Sequence, residues 1–223
     1  MATPNLQHTA TRQRLLDAAG EVFAERGFRA ATVRAICLRA GANIAAVNYH
    51  FHDKQGLYTA VFGYAHECAV VRHPINVGSP QVQDPQSRLR AFIKGFLMRI
   101  LDQGRPAWHG KLMAREMVEP TGALDELVEK AIRPQFLQLS GIIRELVGDL
   151  DETDMRRASI SVVCQCLFYH QARSVITRLF PALLMDVSEL EALTGHIAAF
   201  TIAGLAAVYP PRARGRARAG VHR

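Results

Sequence analysis

Asn48, Tyr49, His50 and Lys54 stand close together in a stretch that also carries Thr32 and Arg34. An asparagine amide can pair bidentately with adenine in a DNA groove, which makes Asn48 the residue best suited to reading a base. Tyr49 and His50 suit phosphate oxygens, contacts that position a protein without specifying sequence. Ala45, Ala46 and, if it is exposed, Ile44 can meet thymine methyl groups. The chemistry on offer is recognition of duplex DNA.

Positioning these groups takes two short helices around a tight turn, and residues 31–54, ATVRAICLRAGANIAAVNYHFHDK, have that form. The spacing predicts a first helix over 10–26 with Leu15, Ala19, Val22 and Phe23 on one face. Gly27 is its expected left-handed stop, with Phe28 packing back on Phe23. Thr32 is the expected N-cap of a second helix that turns Val33, Ile36 and Cys37 inward and ends at Gly41. Asn43 is the expected N-cap of a third, in which Val47 and Phe51 form an inward pair one turn apart. At about 100° per residue, Ala45 and Tyr49 then face outward, with Ala46 and Asn48 on the flanks. Ile44 falls nearer the inward side. Asp53 caps a fourth helix that carries Leu57, Val61, Phe62 and Ala65.

Lys54 sits in the first turn of that fourth helix, where the macrodipole disfavours a cation. The same amides attract anions, so a lysine there makes sense if a phosphate docks beside it. A solvated lysine is the alternative, since such a dipole contact costs only about 0.3–1 kcal/mol. The company of Thr32, Arg34 and Tyr49 favours DNA.

With LLDAAGEVFAERGF at 15–28, the helix after Thr32, Gly41, Tyr49-His50-Phe51 and Lys54, residues 12–66 resemble the DNA-binding domain of the tetracycline-repressor (TetR) family of bacterial transcription regulators. The resemblance implies phosphate contacts at Thr32, Tyr49, His50 and Lys54. It places Arg34, Ile44, Ala46 and Asn48 at the bases or the groove edge. The chain departs from the common pattern at Asn43, where Ser or Thr is usual, and at Asn48, where Tyr is frequent. Ile-Ala-Ala at 44–46 fills a stretch that is often polar. Specificity would then lean on few hydrogen bonds, methyl contacts and DNA shape. NIAAVNYHF, with REMVEPTGALDELVEKAIRPQF further on, is similar to a subset of the family with a CecR-like C-terminal domain over about 80–205.

Charge divides along the chain. Residues 1–66 hold 7 Lys/Arg against 4 Asp/Glu, residues 67–208 hold 15 against 16, and 209–223 add 5 arginines with no acid. Excess positive charge at the two ends around a balanced middle fits polyanion binding. Three segments follow: a helix-turn-helix domain over 1–66, a helical ligand-binding and dimerisation domain over 67–208, and a basic disordered tail over 209–223. The tail either adds non-specific DNA affinity or is idle. With 49% hydrophobic residues, wholesale disorder is excluded. Apolar runs such as 197–209 are broken by Thr201 and Gly204, short of the roughly 18 residues of a membrane span. The first residues, MATPNLQHTATRQR, lack the apolar region of a secretory signal. Cys37, Cys68, Cys164 and Cys166 suit a reducing cytoplasm.

Helical periodicity continues past a Pro- and Gly-rich loop over 73–85, with helices expected at 86–103, 107–119, 122–147 (kinked at Pro134), 153–179 and 188–208. The architecture is all-α. In the family the C-terminal helices bind a small molecule and form a homodimer. Leu190, Leu193, Ile197 and Phe200 beside Gly195, Ala199, Ala203 and Ala207 allow close pairing of the last helix with residues 160–176, within one chain or across a dimer. Candidate ligand-binding residues are Trp108, Met113, Met117, Phe136, Gln165, Phe168, Tyr169, His170 and Arg173, with Arg115 and Glu116 as further polar partners. Each is also an ordinary core type.

Other patterns carry less. His50 and His52 have metal spacing without a completing ligand, and Cys164 and Cys166 face different sides of a helix. Glu116 and Glu119 look like a solvated carboxylate pair. No catalytic residue, metal site or cofactor is called for. The reading is a ligand-released homodimeric repressor of a palindromic operator, acting in the cytoplasm. A helical enzyme or ligand carrier is the alternative.

Overall fold

The computed structural model describes residues 4–75, 78, 84–101, 108–181 and 187–210, and these form helices joined by turns. The basic tail after Pro210 lies outside the described residues. Eleven α-helices follow in order among them: α1 (Pro4–Ala30), α2 (Val33–Ala40), α3 (Ile44–Phe51), α4 (Lys54–Arg72), α5 (Pro85–Leu101), α6 (His109–Val118), α7 (Gly122–Leu127), α8 (Arg133–Val147), α9 (Glu152–Gln171), α10 (Arg173–Leu179) and α11 (Val187–Val208).

The chain forms two compact units, residues 1–75 with 98–137 and residues 76–97 with 138–223. The chain passes between these units after residue 75, inside α5 and inside α8. In the first unit, Leu15, Leu16, Ala19, Val22 and Phe23 of α1 meet Ile36 and Cys37 of α2, Val47 and Phe51 of α3, and Leu57, Val61 and Phe62 of α4. Trp108, Leu112 and Ala123, from α6, α7 and the turn before α6, complete the same core. Trp108 lies so close over Gly20 that a Cβ there would overlap the indole, which explains a glycine in the middle of α1.

The local signals act as their chemistry dictates. The side chains of Thr32, Asn43 and Asp53 each accept the amide N–H three residues on, at 3.2, 2.8 and 2.7 Å. Gly41 closes α2 in the left-handed conformation (φ 59°, ψ 41°). Gly27 also has positive φ (76°), but its ψ of 169° is extended, so α1 resumes after it to Ala30 instead of stopping. Phe28 still returns to Phe23, ring centroids 6.2 Å apart. The first helix begins at Pro4 rather than near residue 10, its first position held by a residue whose missing N–H has no role there.

In the second unit, Leu89, Phe92 and Ile93 of α5 are buried, as are Leu139, Ile142 and Ile143 of α8, Ala158, Val162 and Cys166 of α9, and Leu193 and Ile197 of α11. Arg90 and Lys94 bracket Glu191 at 2.6 and 2.7 Å, joining α5 to α11. Two expected helices are broken. Arg133 donates its N–H to the Val128 carbonyl five residues back, giving a π-helical turn over Val128–Ile132 just before Pro134. The helix expected over 153–179 divides at Ala172 (φ −90°, ψ 10°), where no Gly or Pro marks the break.

The expectation that no segment reaches membrane-span length needs correction. Residues 188–208 of α11 are long and apolar enough by composition, with a mean hydropathy of 1.4, because Thr201 and the glycines dilute the run too little. Part of that apolarity is used internally, where Leu193, Ile197, Ala198 and Leu205 are buried.

Candidate nucleic-acid interface

Val47 and Phe51 are buried, and their burial turns the other side of α3 outward. Ala45, Asn48 and Tyr49 are exposed, Tyr49 at 71%. Ile44 is exposed as well, which resolves its ambiguous position on the helix. Ala46 is half-buried and packs against the core, leaving it less to offer a base. Thr32 and Arg34 are exposed at the start of α2, and Asn43 at the start of α3, where its side chain is engaged in capping.

The link from α3 to α4 is very tight. His52 has φ 69° and ψ −52°, and Asp53 donates its N–H to the Phe51 carbonyl at 2.8 Å, a γ-turn of the rare, strained hand. Gly56 is required beside it, because a Cβ there would run into the same Phe51 carbonyl. The turn leaves almost no freedom in how α3 is held against α4.

Lys54 is half-buried, neither free in solvent nor poised outward. Its Nζ donates to the Arg29 carbonyl at 3.3 Å and lies 4.6 Å from the centre of the Phe28 ring. Those contacts at the end of α1 offset the unfavourable dipole of α4. Arg115 grips the same end of α1, donating to the Ala24 and Glu25 carbonyls at 3.1 and 3.2 Å.

Sequence reasoning missed the start of α1. A groove of about 320 Å³ is lined by His8 and Thr11 of α1 together with Asn43, Ala45, Ala46, Tyr49 and His50. The His8 ring lies 5.7 Å from Tyr49 and 6.2 Å from His50. Burial, His8 and Arg12 together hold the His50 pKa below its ordinary value. Pro4 was the available signal, since a proline at a first helical position carries α1 past His8. His50 thus has His8 rather than His52 as its ring neighbour, and no group of three or more metal-ligating side chains forms among the described residues. The acids of α1 are occupied: Glu25 and Glu21 pair with Arg39 at 2.9 and 3.4 Å, and Asp17 accepts from Gln13. The arginines and Lys54 around α3 therefore keep a positive field.

The ligand candidates are divided between the two units. Trp108, Met113, Met117 and Phe136 belong to the first unit, and Gln165, Phe168, Tyr169, His170 and Arg173 to the second. Trp108 is core, Met113 packs on that core, and Met117 and Phe168 are exposed. Gln165 donates to Thr201 at 3.2 Å and lines a groove of about 190 Å³ along α9 and α11. Cys166 is buried, its thiol pushed up to about 12 by burial, while Cys164 is exposed.

Glu116 is not part of a solvated pair. It is fully buried, accepting from the Tyr58 hydroxyl at 2.7 Å and from the Thr121 N–H and hydroxyl at 2.8 and 2.9 Å. Flanking charges hid this in the sequence, although Thr121 and Gly122 do announce the helix start it braces.

Known proteins carry the same plan. Residues 15–61 match the model of the bacterial regulatory proteins of the tetR family, and residues 85–205 match the C-terminal domain of the HTH-type transcriptional dual regulator CecR. CecR of Shigella flexneri is 27% identical over 175 residues, covering 74% of this chain and 78% of that protein. The regulator UidR of Escherichia coli is 37% identical over 70 residues, 30% of this chain and 36% of that one. Among solved structures, a transcriptional regulator from Pseudomonas aeruginosa superposes with a TM-score of 0.64 at 21% identity, covering 93% of this chain and 96% of that one. FadR of Bacillus subtilis, in complex with stearoyl-CoA, gives 0.62 at 16%, covering 86% and 98%. At such identities the structural likeness speaks for the fold. The helix-turn-helix match and a C-terminal match spanning more than half of the sequence establish that this chain belongs to the TetR family of DNA-binding transcriptional regulators, with a CecR-type C-terminal domain.

Proposed function

We propose that the chain is a homodimeric repressor that holds a palindromic operator without ligand and releases it when a small molecule binds its C-terminal part. The observation that carries this reading is the outward face of α3, where Ala45, Asn48 and Tyr49 are exposed because Val47 and Phe51 are buried. In this reading Asn48 reads a base edge, and Ile44, Ala45 and Ala46 meet methyl groups or the groove wall. Thr32, Tyr49, His50 and Lys54 take phosphates, with Arg34 and Asn43 at the groove edge.

Two copies would pair through α9 and α11. Ile160 and Phe168 on α9 and Phe200 and Val208 on α11 are large apolar side chains left exposed in one chain. Two-fold pairing sets two α3 helices on successive half-sites of a palindrome. The candidate ligand residues of α9, Gln165, Phe168, Tyr169 and His170, with nearby Arg173, lie in the same unit as that face, so ligand and dimer geometry can be coupled. FadR holds stearoyl-CoA within a similar fold, which supports a small-molecule effector here. The cytoplasm, where the operator is, is the place of action.

Genomic fragments retained by the full chain test this directly. The reading predicts fragments sharing an inverted repeat, bound by two chains and released by a compound found in a screen. Fragments with no common element overturn it.

A further inference from the structure

The face of α1 that buries Leu15 and Ala19 continues toward the start of the helix as Thr11 and His8, one and two turns earlier. A stretch that only covered α3 would carry apolar side chains on that face. Here it carries a hydroxyl and an imidazole, with Arg12 beside them. Thr11 is half-buried, while His8 and Arg12 are exposed. All three precede residues 15–61, the part that matches the tetR family. The His8 ring nevertheless reaches the DNA-reading helix, 5.7 Å from Tyr49 and 6.2 Å from His50, and Arg12 lies 5.5 Å from the centre of the Phe51 ring. Burial, then the charges of His8 and Arg12, hold the His50 pKa down, so the start of α1 brings positive potential to α3.

Between the two helices runs the groove of about 320 Å³, with His8 and Thr11 on one wall and Tyr49 and His50 on the other. Each of these four side chains can donate a hydrogen bond, and none of the described residues lining the groove is acidic. A small-molecule pocket encloses its ligand between apolar walls, whereas this groove opens along the face where Tyr49 is 71% exposed. Donors from two helices around an open groove suit a phosphodiester, whose free oxygens only accept. A phosphate between the two imidazoles also turns their mutual repulsion into attraction. We propose that the start of α1 belongs to the DNA interface, with His8 and Thr11 closing on a backbone phosphate that Tyr49 and His50 hold from α3. This rests on the reading of α3 as the DNA-reading helix. It adds a grip from a second helix, which fixes the angle at which α3 lies on the duplex without specifying sequence.

The test separates a phosphate contact from a ring that merely packs on α3. His8→Phe keeps the ring and loses the charge; His8→Lys keeps a charge and loses the ring. Both are compared with the native full chain by anisotropy of a labelled mixed-sequence duplex of about 30 base pairs, roughly three helical turns. The measurement is made at about pH 6, where an imidazole beside a phosphate is protonated. His8→Phe is expected to bind about fivefold more weakly, with the log-log salt slope reduced by about 0.9 for each chain bound. His8→Lys is expected to hold the duplex at least as tightly as the native chain. His8→Gln replaces the Phe variant if that one loses its helical melt, and must lower the slope too. Native affinity and slope in His8→Phe, or a His8→Lys chain as weak as His8→Phe, overturns the proposal while leaving α3 as the reader. A native chain that leaves the duplex free overturns the reading of α3, and this proposal with it.

Discussion

The two ends of α4 are gripped in the same way and differ in exposure. At the N-terminal end Lys54 donates to the Arg29 carbonyl, and past the C-terminal end Arg99 donates to the carbonyl of His73. With 19 residues at 1.5 Å each, the grips stand about 28 Å apart along the axis. Lys54 is half-buried over the Phe28 ring, so its ammonium can turn toward a phosphate at small cost. Arg99 is buried, with its Nε on the His73 carbonyl. Each end is thus tied by a cation on a main-chain carbonyl, one half-buried and one buried, with a single helix between them.

The comparison breaks most readily at the brace on Tyr58, in the second turn of α4. Glu116→Ala removes the acceptor from the Tyr58 hydroxyl and from Thr121 at once. It should cost about 3 kcal/mol of folding stability, with Tyr58→Phe costing less, as read by denaturant midpoints. A Glu116→Ala chain as stable as the native one would detach α6 and α7 from the account of α4. Next comes Gly56→Ala, whose Cβ has to displace the Phe51 carbonyl. A loss of about 2 kcal/mol is expected, together with operator binding, because α3 must shift on α4. A gel shift that survives this change would show the γ-turn at His52 to be dispensable.

Lys54→Ala sharpens the outer end. It should weaken binding on all DNA sequences alike, by about 1 kcal/mol, and lower the salt slope by about 0.9. An unchanged slope in anisotropy titrations would mean that Lys54 serves only to hold α1. The smallest effect concerns pH. Because the His50 pKa is lowered by burial, His8 and Arg12, the unfolded chain binds the proton more readily. Fold stability should therefore fall as pH drops below about 6.5. A phosphate beside His50 acts the other way, so operator affinity should rise from about pH 8 to about pH 6, and His50→Gln should flatten the rise.

The DNA-reading end was legible because its signals are local. Thr32, Asn43 and Asp53 declare three helix starts in the sequence, and the Val47–Phe51 spacing sets which side of α3 is free. The interior was not, because its partners are remote in sequence. Glu116 meets Tyr58 across 58 positions and Arg99 reaches His73 across 26, and in the sequence both look like ordinary surface charges. Gly20 was a readable hint that something large packs on α1, although only the fold identifies Trp108. The γ-turn at His52 has no sequence signature, since a histidine there conforms to its neighbours against its own preference. The break at Ala172 likewise follows no local rule.

The central claim, that the outward face of α3 reads the operator, is tested most directly by selecting DNA fragments with the native chain and with Asn48→Ala under one salt condition. The account predicts the same inverted repeat from both, with the preference at one base pair of each half-site relaxed in the variant by about 1–3 kcal/mol. An identical motif at every position would contradict it.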